Sequence, residues 1–134
     1  MGKLAFILSV VFLLSACSGD DGVDPIPNGS YSGIFTVEYL DGTSYSNPVT
    51  VHFSNKKDYS CSRNTDDFYP SGGSGTYKTD GSKIVFWDIN LWTADFDWNL
   101  FLNGEYNFLK NGSELIISAE RNNIGLYRYE LEKD

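Results

Sequence analysis

Gly29-Ser30-Tyr31-Ser32-Gly33-Ile34-Phe35-Thr36-Val37-Glu38-Tyr39, followed by Leu40-Asp41-Gly42, decides the architecture of this chain. Tyr31, Gly33, Phe35, Val37 and Tyr39 alternate with Ser32, Ile34, Thr36 and Glu38, three of the four polar. That is the period of a half-buried β-strand, because successive side chains leave a strand on opposite faces. Asp41-Gly42 then supplies the positive φ angles that a tight hairpin turn requires.

The same pattern repeats downstream. Val49, Val51 and Phe53 alternate, as do Leu115, Ile117 and Ala119, and turn signals recur at Asn55-Lys56, Ser71-Gly72-Gly73, Asp80-Gly81, Asn111-Gly112 and Asn122-Asn123. Eight strands are predicted, near 30–40, 46–54, 58–63, 74–79, 82–89, 99–109, 113–120 and 124–132, and no segment has helical periodicity. In the sixth, Leu100, Leu102, Gly104, Tyr106 and Phe108 share one face, but Phe101 and Leu109 on the other leave its orientation open.

Short antiparallel strands in unbroken succession either close as an up-and-down barrel or split into a sandwich. The barrel is expected, because a sandwich needs Greek-key crossovers longer than these connections. The fold class is therefore all-β, an eight-stranded antiparallel barrel over residues 29–134. One long connection, 64–73, carries Asp66 and Asp67 towards Phe68-Tyr69-Pro70, as a lid over one barrel end or a mobile loop.

Upstream, an apolar run from Leu4 to Leu14 follows Lys3. It is too short for a ~30 Å hydrocarbon core, which takes roughly 20 residues, and reads as a signal peptide over residues 1–16. Leu14-Ser15-Ala16-Cys17 resembles the lipobox of bacterial lipoproteins, in which the cysteine is acylated and becomes the new N-terminus. The alternative is an ordinary secretory signal that leaves Cys17 a plain thiol. The acidic Ser18-Gly19-Asp20-Asp21 is similar to the surface-export signal of Bacteroidetes lipoproteins. The expected location is the outer membrane, lipid-anchored through Cys17, at the cell surface. Residues 17–28, with Pro25 and Pro27, are expected to form a flexible tether.

The full chain has 10 basic and 18 acidic residues, and loss of Lys3 with the signal leaves 9 against 18, a balance of −9. Nothing in such a chain neutralises phosphates, so nucleic acid is not an expected partner. A lipidated Cys17 leaves Cys61 without a disulfide partner. Alternation turns Cys61 inward with Tyr59, so it is expected as a small buried hydrophobe.

Gly29-Ser30-Tyr31-Ser32-Gly33, Gly75-Thr76-Tyr77, Leu102-Asn103-Gly104-Glu105-Tyr106, Asn111-Gly112-Ser113-Glu114-Leu115 and Tyr127-Arg128-Tyr129-Glu130-Leu131 occur in an order that resembles the lipocalin-like, calycin-like β-barrel lipoproteins of Bacteroidetes. The resemblance implies an eight-stranded barrel and extracytoplasmic binding. The opening Gly-x-Trp of lipocalins proper stands here as Gly29-Ser30-Tyr31, with Tyr31 expected to close the barrel floor against Arg128 or Arg121.

The candidate binding residues lie between 86 and 106. Trp87, Trp92, Trp98, Phe101 and Tyr106 offer rings for stacking or for lining an apolar cavity, while Asp95 and Asp97 offer hydroxyl acceptors. The mixture suits a glycan or a small amphipathic molecule, although the same rings are what a small barrel uses as filling. Asp95-x-Asp97-x-Asn99 begins like a calcium loop but has Leu100 and Tyr106 where glycine and glutamate belong, so no metal is expected. His52, the single histidine, falls on the outer face, and no nucleophile elbow, phosphate loop, zinc spacing or dinucleotide fingerprint occurs. No enzyme activity and no cofactor are expected. The expected function is binding of a small amphipathic molecule or glycan; the alternative, motivated by charge, is a protein-binding inhibitor or accessory subunit, for example against a cationic host enzyme.

Overall fold

A computed structural model of the chain describes residues 25–63, 69–90 and 97–134. Eight strands follow one another: β1 Gly29–Tyr39, β2 Ser44–Ser54, β3 Asp58–Cys61, β4 Gly73–Asp80, β5 Lys83–Asp88, β6 Gly104–Asn111, β7 Glu114–Arg121 and β8 Gly125–Lys133. Each pairs antiparallel with the next, and β8 returns to β1 from Tyr31↔Lys133 to Tyr39↔Gly125, so the barrel is closed and up-and-down. Closure matters because an open sheet would leave edge strands with unpaired backbone groups.

The alternation in the sequence sets the register. Tyr31, Phe35, Val37, Val49, Val51, Phe53, Leu115 and Ile117 are all buried. Gly33 sits where β1 crosses closest to β8, and a Cβ there would overlap the carbonyl of Glu130. At the Asn55-Lys56 turn both residues have positive φ, 53° and 61°, as a two-residue hairpin demands.

Strand six resolves with Tyr106 inward and Leu109 exposed. The sequence extended this strand back to residue 99, and here the structure corrects it. Trp98–Leu100 form a 3-10 helix, and β6 begins only at Gly104. Phe101 is buried because the chain turns there across the barrel end, not because it belongs to a sheet face. The 64–73 connection is also not the only long one; residues 89–103 between β5 and β6 are longer.

Up-and-down topology puts the β1–β2, β3–β4, β5–β6 and β7–β8 connections at one pole, the loop end. The chain enters the barrel at the opposite pole, called the tether end after the tether expected over residues 17–28. Ile26 is fully buried, Tyr31 donates its hydroxyl to Pro27 O (2.8 Å), and Asn28 Oδ1 accepts the amide of Lys56 (3.1 Å). Tyr31 therefore closes the floor, but not against an arginine as expected. Its ring meets Phe53 edge-on at 5.5 Å, Arg121 lies at the other pole, and Arg128 pairs with Glu130 on the outer wall.

Candidate functional site

From the floor upward the interior is a continuous run of rings. Phe53 meets Tyr77 at 5.0 Å, Phe86 meets Tyr59 at 4.7 Å and Tyr106 at 5.7 Å, Tyr106 meets Tyr129 at 6.3 Å, and Tyr129 meets Phe35 at 4.8 Å. Such tilted and edge-on pairs pack within a barrel of eight strands, whose interior has room for side chains or one small ligand.

The loop end is closed by the chain itself. Residues 97–103 cross it as a plug in which Leu100, Phe101 and Leu102 are all buried. The β3–β4 connection lies against it: Ser71 N donates to Leu100 O (3.1 Å), Leu102 N donates to Gly72 O (2.9 Å), and Gly72 and Phe101 form a parallel bridge. Wall side chains take three further carbonyls of the plug and that of Glu105. Tyr106 donates to Phe101 O, Tyr59 to Leu102 O, and Arg121 to Asn103 O and Glu105 O. Arg121 also stands 4.8 Å over the Tyr106 ring, a cation–π contact inside the rim.

Asp97 anchors the plug. Its Oδ1 accepts the amide of Asn99 (3.0 Å) as the cap of the 3-10 helix, and its Oδ2 accepts the hydroxyls of Tyr39 (2.8 Å) and Tyr127. Burial first, and then these bonds to a carboxylate, push both phenols above the usual tyrosine range. Tyr69, from the β3–β4 connection, stacks flat on Tyr45 at 4.2 Å, and its carbonyl accepts Asn47 Nδ2 (2.7 Å).

The candidate residues therefore divide. Phe101 and Tyr106 are interior, Asp97 lies beneath the rim, Trp98 is 53% exposed on top of the plug, and Trp87 is 50% exposed on the outer face of β5. Trp98 and Phe101 meet edge-on at 6.2 Å. Trp92 and Asp95 lie outside the described residues, as do Cys17 and Asp66 to Phe68. The tyrosines that hold Asp97, 58 and 30 residues away in sequence, were not singled out. The one signal for them was that Tyr39 ends an inward-facing row.

Cys61 is buried, and burial pushes its thiol up, away from the nucleophilic thiolate. His52 is exposed on the outer wall, 2.8 Å from Ser30 Oγ. Among the described residues no three His, Cys, Asp or Glu side chains are grouped to hold a metal ion.

No protein-family model, curated protein or solved structure matches the chain.

Proposed function

We propose that this chain is an extracytoplasmic, lipocalin-like lipoprotein, held at the outer membrane through Cys17, that binds a protein partner with the outside of its barrel. The ring-packed interior beneath the 97–103 segment carries this reading. The hydroxyls and the guanidinium that would greet a ligand at the loop end, those of Tyr39, Tyr59, Tyr106, Tyr127 and Arg121, are bonded to the chain's own residues 97–105. A small amphipathic guest would have to displace that segment as well as the rings beneath it. The buried Cys61 and outward His52 support a binding role over an enzymatic one.

A second reading, a glycan on the loop end, is favoured by the half-exposed Trp87 and Trp98 rings. A titration of residues 17–134, made soluble by Cys17→Ser, with a fluorescent fatty acid and with soluble glycans separates these. Exterior protein binding predicts no saturable response to either. Saturable one-to-one uptake of the fatty acid contradicts it, and glycan-dependent quenching lost in Trp98→Ala establishes the second reading. The anchor is tested by labelling cells with radioactive palmitate: the label is expected on the wild type and absent from Cys17→Ala, and label retained in that variant contradicts the anchor.

A further inference from the structure

The outer wall holds a feature that neither the core nor the plug explains. Leu109 on β6, Ile116 on β7, Glu130 on β8, Ile34 on β1 and Pro48 on β2 are successive cross-strand partners in a single row. All point outward. Leu109 is 63% and Ile34 45% exposed, Pro48 is exposed, and Ile116 is half-buried. The row is an apolar belt around mid-barrel, interrupted by one carboxylate. Beside it Ser32, Gly33, Glu114, Ile116, Glu130, Leu131 and Glu132 line a groove of about 320 Å3, where β1 dips onto β8 at Gly33. Exposed apolar side chains gathered in one row and rimmed by polar groups mark interaction sites.

The charges around the belt select the occupant. On the tether side of the belt the next row is Glu114↔Glu132↔Ser32, and Ser32 Oγ donates to Asp134 (3.0 Å). Two rows towards the loop end stand Glu120↔Leu126↔Glu38. Against these carboxylates, the outward row between belt and loop end contributes Arg128, already paired with Glu130 (3.4 Å), while Lys133 sits at the tether-end rim beside Gly29. Two copies of such a wall would repel each other face to face, and an anionic lipid surface would repel it too. Five strands ~4.8 Å apart, each contributing roughly eight residues at ~3.3 Å, give about 600 Å2, close to the ~800 Å2 per partner of a stable interface.

We propose that the β6-β7-β8-β1-β2 wall, centred on Ile34, Ile116 and Glu130, is the docking surface for a protein that presents aliphatic side chains flanked by lysine or arginine. This rests on the exterior-binding reading and names its surface and the chemistry of its partner. Apolar contact supplies the area, while the carboxylates steer the approach and exclude acidic surfaces.

The test uses isotope-labelled residues 17–134 with Cys17→Ser, titrated at low salt with cytochrome c as a folded basic probe and followed through backbone amide shifts. Shifts should concentrate on the belt and its neighbouring rows. Glu130→Lys should raise the dissociation constant about tenfold, as loss of a charge within an interface does, against under about twofold for Asp80→Lys, an equal charge change on β4. Ile34→Ser should weaken binding with no change in charge. If Glu130→Lys disturbs folding, judged by circular dichroism, Glu132→Lys replaces it. Absence of binding, shifts centred on the loop end, or equal weakening by Glu130→Lys and Asp80→Lys overturns the proposal. So do concentration-dependent shifts in the belt without probe, which identify a second copy as the occupant. None of these results involves uptake into the barrel, so a failure of this surface is distinguishable from a failure of exterior binding.

Discussion

At the scale of single residues the tyrosines carry the argument. Tyr59, Tyr106 and Tyr129 are buried, and burial holds each phenol above the usual value of 10.0. Tyr129 is the extreme case: its hydroxyl has no hydrogen-bond partner among the described residues. A phenol that stays protonated in the fold but ionises when unfolded makes the unfolded state lose protons first as pH rises. The tyrosines' contribution to stability is thus constant below about pH 9 and falls above pH 10, by up to about 1.4 kcal/mol per pH unit per buried tyrosine. The tyrosinate absorbance of these buried residues should appear together with the loss of circular dichroism, in one cooperative step above pH 10. A smooth rise of absorbance near pH 10 for these residues, with the barrel intact, would falsify their burial. Alternation alone turns Tyr59 and Cys61 inward and leaves the face of Tyr106 open; it says nothing of where the two phenols bond, because their partners are backbone carbonyls of the segment that crosses the barrel end.

Among the elements, strands were legible and the plug was not. β1, β2, β7 and β8 each combine a two-residue period with turn chemistry at the ends, so local physics suffices to define them. Residues 99–103 look apolar enough for a strand, but their burial comes from crossing the barrel end and is fixed by the β3–β4 connection, Tyr39 and Tyr127. No local spacing encodes that. The candidate site was read from the density of aromatics in the same stretch, and density does not distinguish interior Tyr106 from outward Trp87. The plug's dependence on Asp97 is testable: Asp97→Ala leaves Tyr39 and Tyr127 without their acceptor and uncaps the 3-10 helix. Bonds to a charged group are each worth roughly 1.5–3 kcal/mol and do not add, so a loss of about 2–4 kcal/mol is expected in urea unfolding, with increased emission change at Trp98. A loss under about 0.5 kcal/mol, the range of ordinary surface substitutions, would show that the plug is held without it.

For the whole molecule, strand closure and the ring-packed core together determine what the barrel offers. A ring of eight paired strands, floored by Ile26 and Tyr31 and stopped by Leu100 to Leu102, leaves its outer wall and loop end as the surfaces available to a partner. The acidic balance of the chain, visible in composition, becomes informative only once the register places Glu38, Glu114, Glu120, Glu130 and Glu132 on adjoining strands beside an apolar row. The most direct measurement is xenon binding, read by the shift of dissolved 129Xe and by side-chain resonances of residues 17–134 carrying Cys17→Ser. Xenon occupies dry apolar cavities in proteins. A solid barrel predicts only a weak, unsaturable shift and no change at Phe86, Tyr106 or Tyr129; saturable uptake that moves those resonances would reveal a hollow interior and contradict the account.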